Sequence, residues 1–75
     1  MPTLQDLGSF QIRMYFRDHN PPHVHVVSPD ESALVRIADG AVIRGGIDAA
    51  MLAKAQAWVA AHRNDLFARW AEYQK

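Results

Sequence analysis

Three histidines and an aspartate crowd into one short stretch: Asp18-His19-Asn20-Pro21-Pro22-His23-Val24-His25. Imidazole changes charge near neutral pH, binds divalent metals, and is oriented by a neighbouring carboxylate. His23 and His25 are two apart, so on a strand both point to the same face. The preceding loop can fold Asp18 or His19 back over that face, and Pro21-Pro22 stiffens it.

This constellation admits three readings. In the first, a metal such as zinc is held by His19, His23 and His25, or with Asp18 as one ligand, leaving a position open for water as catalytic zinc sites do. No cysteine is needed for that set, and the chain contains none. In the second, His23 and His25 form a metal-free acid–base pair, oriented by Asp18 or His19. An arginine among Arg13, Arg17, Arg36 and Arg44 would hold a substrate phosphate, with RNA strand cleavage as the reaction. Arg13, Arg17 and Tyr15, all on the first predicted strand, are the favoured substrate contacts. They also fit an ordinary solvated face. In the third, Asp18 and Asn20 cap a turn and the histidines only make turn hydrogen bonds or dock a partner.

The elements that must position this segment follow from hydrophobic period. Between residues 9 and 17, Phe10, Ile12, Met14 and Phe16 alternate with Gln11, Arg13, Tyr15 and Arg17. That alternation predicts a half-buried strand with one wet face. The two prolines end it. Further strands are predicted over 23–28, with Val24 and Val26 facing inward, over 33–38 and over 41–44. Pro29-Asp30-Glu31-Ser32 supplies one turn. Asp39-Gly40 predicts a two-residue type I′ hairpin.

The period then lengthens. Asp48 is the predicted N-cap of a helix on which Met51, Leu52, Ala55, Trp58, Val59 and His62 share a face. Helix resumes at Asn64 or Asp65, with Leu66, Phe67, Trp70 and Tyr73 on one stripe. One kinked helix and two short ones fit this pattern equally. The expected architecture is α+β: a single domain over 1–75, with a four-stranded antiparallel meander and C-terminal helix packed on one sheet face.

Composition bounds the partners. With 75 residues the core is marginal, so metal or a partner subunit would add stability. Lys and Arg number 8, as do Asp and Glu, which argues against non-specific nucleic-acid binding without excluding a local basic patch. No basic region followed by an apolar run opens the chain, and no apolar stretch is long enough to span a bilayer. A cytoplasmic protein that needs no membrane is the expectation. A sheet edge could pair with a second copy to give a homo-oligomer.

The opening Met1-Pro2-Thr3, Met14-Tyr15, the Asp18–Val26 segment, Asp39-Gly40, Gly45, Trp58, His62, Leu66 and Trp70 together resemble the bacterial family called domain of unknown function 4160. Val24 stands where members often carry an aromatic residue, and the stretch after Gly46 lacks a proline that many have. The resemblance implies a small protein encoded beside a second small protein. That arrangement is similar to a toxin–antitoxin module, which implies a protein partner. It also draws His62 into the family pattern, as a residue that could approach the loop histidines. The leading expectation is a toxin-like protein acting on RNA or another phosphate-bearing target. The alternatives are an antitoxin-like binding module and a small divalent-metal protein.

Overall fold

Five strands, not four, form the sheet. The computed structural model describes residues 3–74; Met1 and Pro2, which open the family-like stretch, lie outside the described residues. The strands are β1 (Thr3–Asp6), β2 (Gln11–Arg13), β3 (His23–Val27), β4 (Ser32–Arg36) and β5 (Val42–Gly46). They lie side by side in chain order, every neighbouring pair antiparallel. Two helices follow, α1 (Ala49–Ala61) and α2 (Arg63–Tyr73), so the fold is α+β as expected. No described helix is long and apolar enough to cross a membrane.

The extra strand, β1, has no apolar alternation of its own. It is a strand because β2 offers it a partner, with Thr3 opposite Arg13 and Asp6 opposite Gln11. Only Leu4 turns inward, against the core. Such a strand is written in its pairing rather than in its side chains.

The core lies between one sheet face and the helices. Phe10, Ile12, Met14, Val24, Val26, Val35 and Ile37 come from the sheet side; Ala55, Val59, Leu66 and Trp70 come from the helices. Fully burying a Val or Ile side chain contributes about 1.5–3 kcal/mol. Val24 and Val26, both 0% exposed, therefore hold β3 firmly in phase and send its alternate residues to the other face.

Three local expectations are corrected. Phe16 is 63% exposed instead of buried. The ladder of β2 stops at Arg13, and Arg17 adopts a left-handed backbone with φ 54°, so the alternation no longer sets facing by residue 16. Phe16 lies against Tyr73, ring centres 4.4 Å apart. Phe67 is 38% exposed. The buried stripe of α2 runs Leu66–Trp70, at spacing four, and a residue one step along lies about 100° round the helix. The Asp39-Gly40 turn is not type I′, which needs positive φ at both residues; Gly40 alone has it, at 76°. Ile37 is fully buried and gives its N–H to the Pro22 carbonyl at 3.1 Å, which removes it from the β4–β5 ladder. The loop closes wider, through Arg36 N–H to the Ala41 carbonyl at 2.8 Å.

The helix start is as the sequence implies. Asp48 accepts hydrogen bonds from the N–H groups of Ala50 and Met51. The open question of one helix or two is settled by His62, whose φ of −118° and ψ of 19° leave the helical region between α1 and α2.

Candidate functional site

With Val24 and Val26 pinned inward, His23 and His25 take the opposite side of β3. The loop between β2 and β3 then carries Asp18 onto them. Its ends are tied down. Arg17 donates its N–H to the Tyr73 carbonyl at 3.0 Å, at the end of α2, and Pro22 accepts from Ile37. The Asn20–Pro21 peptide within it is cis.

Asp18 is the hub of the site. One carboxylate oxygen, Oδ2, lies 3.0 Å from His23 Nε2 and 2.9 Å from His25 Nε2. The other, Oδ1, accepts the His19 backbone N–H at 2.9 Å. One donor atom from each of Asp18, His23 and His25 falls within 4.8 Å of the others, a grouping that could hold a metal ion. His23 is 1% exposed, and its ring lies 5.1 Å from that of Trp70 and 5.1 Å from that of His25.

The protons on His23 follow from its partners. Its Nδ1 is 2.7 Å from the carbonyl oxygen of Pro21, which can only accept. Nδ1 therefore carries hydrogen. Nε2 then has two satisfactory states: a second hydrogen donated to Asp18, or a lone pair that shares a cation with it. A bare lone pair facing a carboxylate oxygen at 3.0 Å is repulsive. His25 is less constrained: its Nε2–H tautomer donates to Asp18, and its Nδ1–H tautomer leaves the Nε2 lone pair for a metal.

Burial pushes the Asp18 carboxyl up. The hydrogen bonds from His25 and the His19 amide, with the charges of His23 and His25, together outweigh that and hold it below its ordinary range. The carboxylate form is thus favoured where the two rings converge.

The remaining predicted residues are spread around this centre. The His19 side chain is 77% exposed, with Nδ1 3.3 Å from Asp18 Oδ1, so it stands beside the three converging donors rather than among them. Tyr15 packs edge-on to His25, ring centres 4.2 Å apart. Arg13 lies directly across from His25 in the β2–β3 register, its guanidinium bonded to Gln11 Oε1 at 3.0 and 2.6 Å. Arg17 is exposed on the loop, anchored through its backbone. Asn20 is exposed and lines a cleft of about 220 Å³ together with His19, His23, Leu34 and Arg44. His62 stays apart from the cluster. It stacks on Trp58 with ring centres 4.2 Å apart and bonds the Trp58 carbonyl through Nδ1 at 2.8 Å.

Two contributors escaped the sequence reading. Trp70 was read as a core aromatic, and it also walls the His23 ring. Leu34 was read only as part of a strand, yet it faces His25 across the β3–β4 ladder. Both depend on which elements pair, which neither the strand predicted over 33–38 nor the helical stripe that holds Trp70 states.

The family model described as Domain of unknown function (DUF4160) matches residues 9–71, so the chain belongs to that family. No curated protein and no solved structure matches it.

Proposed function

We propose that this member of the DUF4160 family carries a divalent-metal centre built from Asp18, His23 and His25, and that the centre serves hydrolysis of a phosphodiester such as RNA. The observation that carries the reading is the convergence of His23 Nε2, His25 Nε2 and Asp18 Oδ2, with His23 Nδ1 fixed on the Pro21 carbonyl. Metal-binding histidines usually donate their other N–H to a carbonyl or carboxylate, which fixes ring and tautomer. Ligand–metal distances of about 2.0–2.2 Å put tetrahedral ligands about 3.3–3.6 Å apart. The two Asp18–imidazole contacts, at 3.0 and 2.9 Å, need to open by only a few tenths of an ångström. Two imidazoles and one carboxylate suit zinc or another first-row divalent ion and leave coordination positions for water and substrate.

This reading divides the labour among the histidines differently from an acid–base pair of His23 and His25. At 1% exposure His23 offers a substrate too little surface to exchange protons with it, even at the edge of the cleft. His19, exposed beside Asp18, is the group placed to handle protons. In the proposed hydrolysis a water oxygen bonds to phosphorus and the bond from phosphorus to the leaving oxygen breaks. His19 takes the proton that the water loses and returns it to the leaving oxygen. A divalent ion held by Asp18, His23 and His25 would supply positive charge to the attacking water and the phosphate.

In the cell this chemistry suits the toxin-like member of a two-gene module, with a small neighbour-encoded protein as its partner. Growth arrest on induction of the chain alone, relieved in the His23→Ala/His25→Ala double variant, supports that role. The site itself is tested by elemental analysis of protein purified without chelator, beside zinc titration of the metal-free form. One ion per chain, lost in the double variant, is expected. Wild-type protein that takes up no zinc, cobalt, nickel or manganese overturns the metal reading.

A further inference from the structure

The β-sheet register lines up one row of side chains on the face opposite the helices. Arg13 pairs with His25, His25 with Leu34, and Leu34 with Arg44. Directly opposed residues of neighbouring strands share a face. The row therefore sets a cation at each end, with His25 and Leu34 between.

The arginines differ in what they are free to do. Arg36 is held by Asp39 at 2.9 and 2.6 Å, Arg63 by the Ile37 carbonyl at 2.7 Å, and Arg13 by Gln11. Arg44, like Arg17 and Arg69, which do not line the cleft beside His23, makes no side-chain hydrogen bond or ion pair among the described residues. It is exposed, and it lines the same cleft as His19, Asn20 and His23, with Leu34 as part of the floor. That cleft holds about 220 Å³. Pockets that enclose drug-sized molecules hold roughly 300–1,000 Å³, so this one suits a single charged group and its immediate substituents.

We infer that Arg44 seats the phosphate of a phosphodiester substrate in the cleft that His19 also lines, beside the Asp18–His23–His25 centre. The inference rests on the proposed phosphodiester chemistry but not on the metal being present. A guanidinium fork matches two phosphate oxygens at once. The chain's charges balance, 8 against 8, so it lacks the excess that would track a long nucleic-acid backbone. Recognition then depends on one well-placed cation.

The test uses dimethyl phosphate, a diester monoanion, followed by phosphorus NMR on metal-free and zinc-loaded full-length protein. Wild type, Arg44→Ala and Arg44→Lys are compared, with zinc stoichiometry measured on each. Loss of a charge-assisted bidentate contact is expected to weaken binding by about tenfold or more. Arg44→Lys, which keeps the charge and loses the fork, should fall between. Zinc stoichiometry should stay the same in all three. Equal affinity in wild type and Arg44→Ala, or zinc uptake without any phosphate binding, overturns the inference and leaves the metal centre standing. Arg44-dependent binding by protein that takes up no metal supports the seat and removes the metal reading.

Discussion

Replacing Asp18 by asparagine and by alanine should give sharply different proteins, and the difference follows from the three hydrogen bonds that Asp18 accepts. Asparagine can keep the His19 N–H on its carbonyl oxygen. Its amino group then occupies the position of Oδ2 and holds two hydrogens, one for each imidazole. His23 can accept at Nε2 without disturbing Nδ1, which stays on the Pro21 carbonyl. His25 accepts by shifting its own hydrogen to Nδ1. A charged network of three bonds becomes a neutral network of three bonds, with a net change within about 1 kcal/mol. Alanine offers none of them. It leaves Nε2 of a histidine that is 1% exposed without a partner, at a cost of about 1–3 kcal/mol. In a domain of this size each kcal/mol moves the melting temperature by about 4–8 °C. Asp18→Ala should therefore melt about 4–24 °C below wild type, and Asp18→Asn within about 8 °C of it.

Thermal melts by circular dichroism on metal-free protein read this directly, with zinc titrations on the same samples. Both variants should lose zinc, because asparagine removes the carboxylate and occupies both imidazole lone pairs. Acidification adds a signed check. The Asp18 carboxyl is held below the ordinary value of 3.8 in the folded protein, so the unfolded chain binds its proton first. Its contribution is present above 3.8 and is lost as pH falls through the lower folded value. Asp18→Asn lacks that component, so wild type should lose ground to it in that window. An asparagine variant as unstable as the alanine variant would refute the bonding scheme, and an asparagine variant that binds zinc as wild type does would remove Asp18 from the ligand set.

Three further outcomes are expected. Gly45→Ala should destabilise by more than about 1 kcal/mol, because φ is 74° and a Cβ would collide with the Ser32 carbonyl oxygen; Gly46→Ala, with nothing near its Cβ, should stay within about 0.5 kcal/mol, and urea denaturation separates them. Asp48→Ala removes the acceptor for Ala50 and Met51 N–H and should cost about 0.5–2 kcal/mol in the same assay; an unchanged midpoint would mean that the cap contributes nothing. Asp39, bonded to Arg36 and to the Ala41 N–H, should titrate at about 2 by carboxyl-carbon NMR and return toward 3.8 in Arg36→Gln; its support for the folded state is lost as pH falls through that window.

Residue type and spacing along the chain carry the available chemistry and much of the frame. The spacing of His23 and His25 put two imidazoles on one face because side chains alternate along a strand. Val24 and Val26, by their apolar character, decided which face that was. Asp48 marked the helix start because its carboxylate suits exposed N–H groups. The Asp18–His25 run, together with residues spread along the chain, identified the family.

How those groups combine follows from contacts between segments far apart in the chain. That Asp18 and not His19 reaches both imidazoles depends on a loop tied to Tyr73 at one end and to Ile37 at the other, partners far away in the chain. His23 is buried because Trp70 arrives from the last helix, and Arg44 lines the cleft because the register across β4, the one strand between β3 and β5, sets it in the same row as His25. β1 exists because β2 pairs with it, and Phe16 and Phe67 are exposed because local backbone geometry turns them off the buried stripes. The physical reason is common to all of these. Alternation and periodicity report which side of an element is apolar, a property of consecutive residues. Which elements meet, and at what register, is set by the summed burial and hydrogen bonding of distant segments.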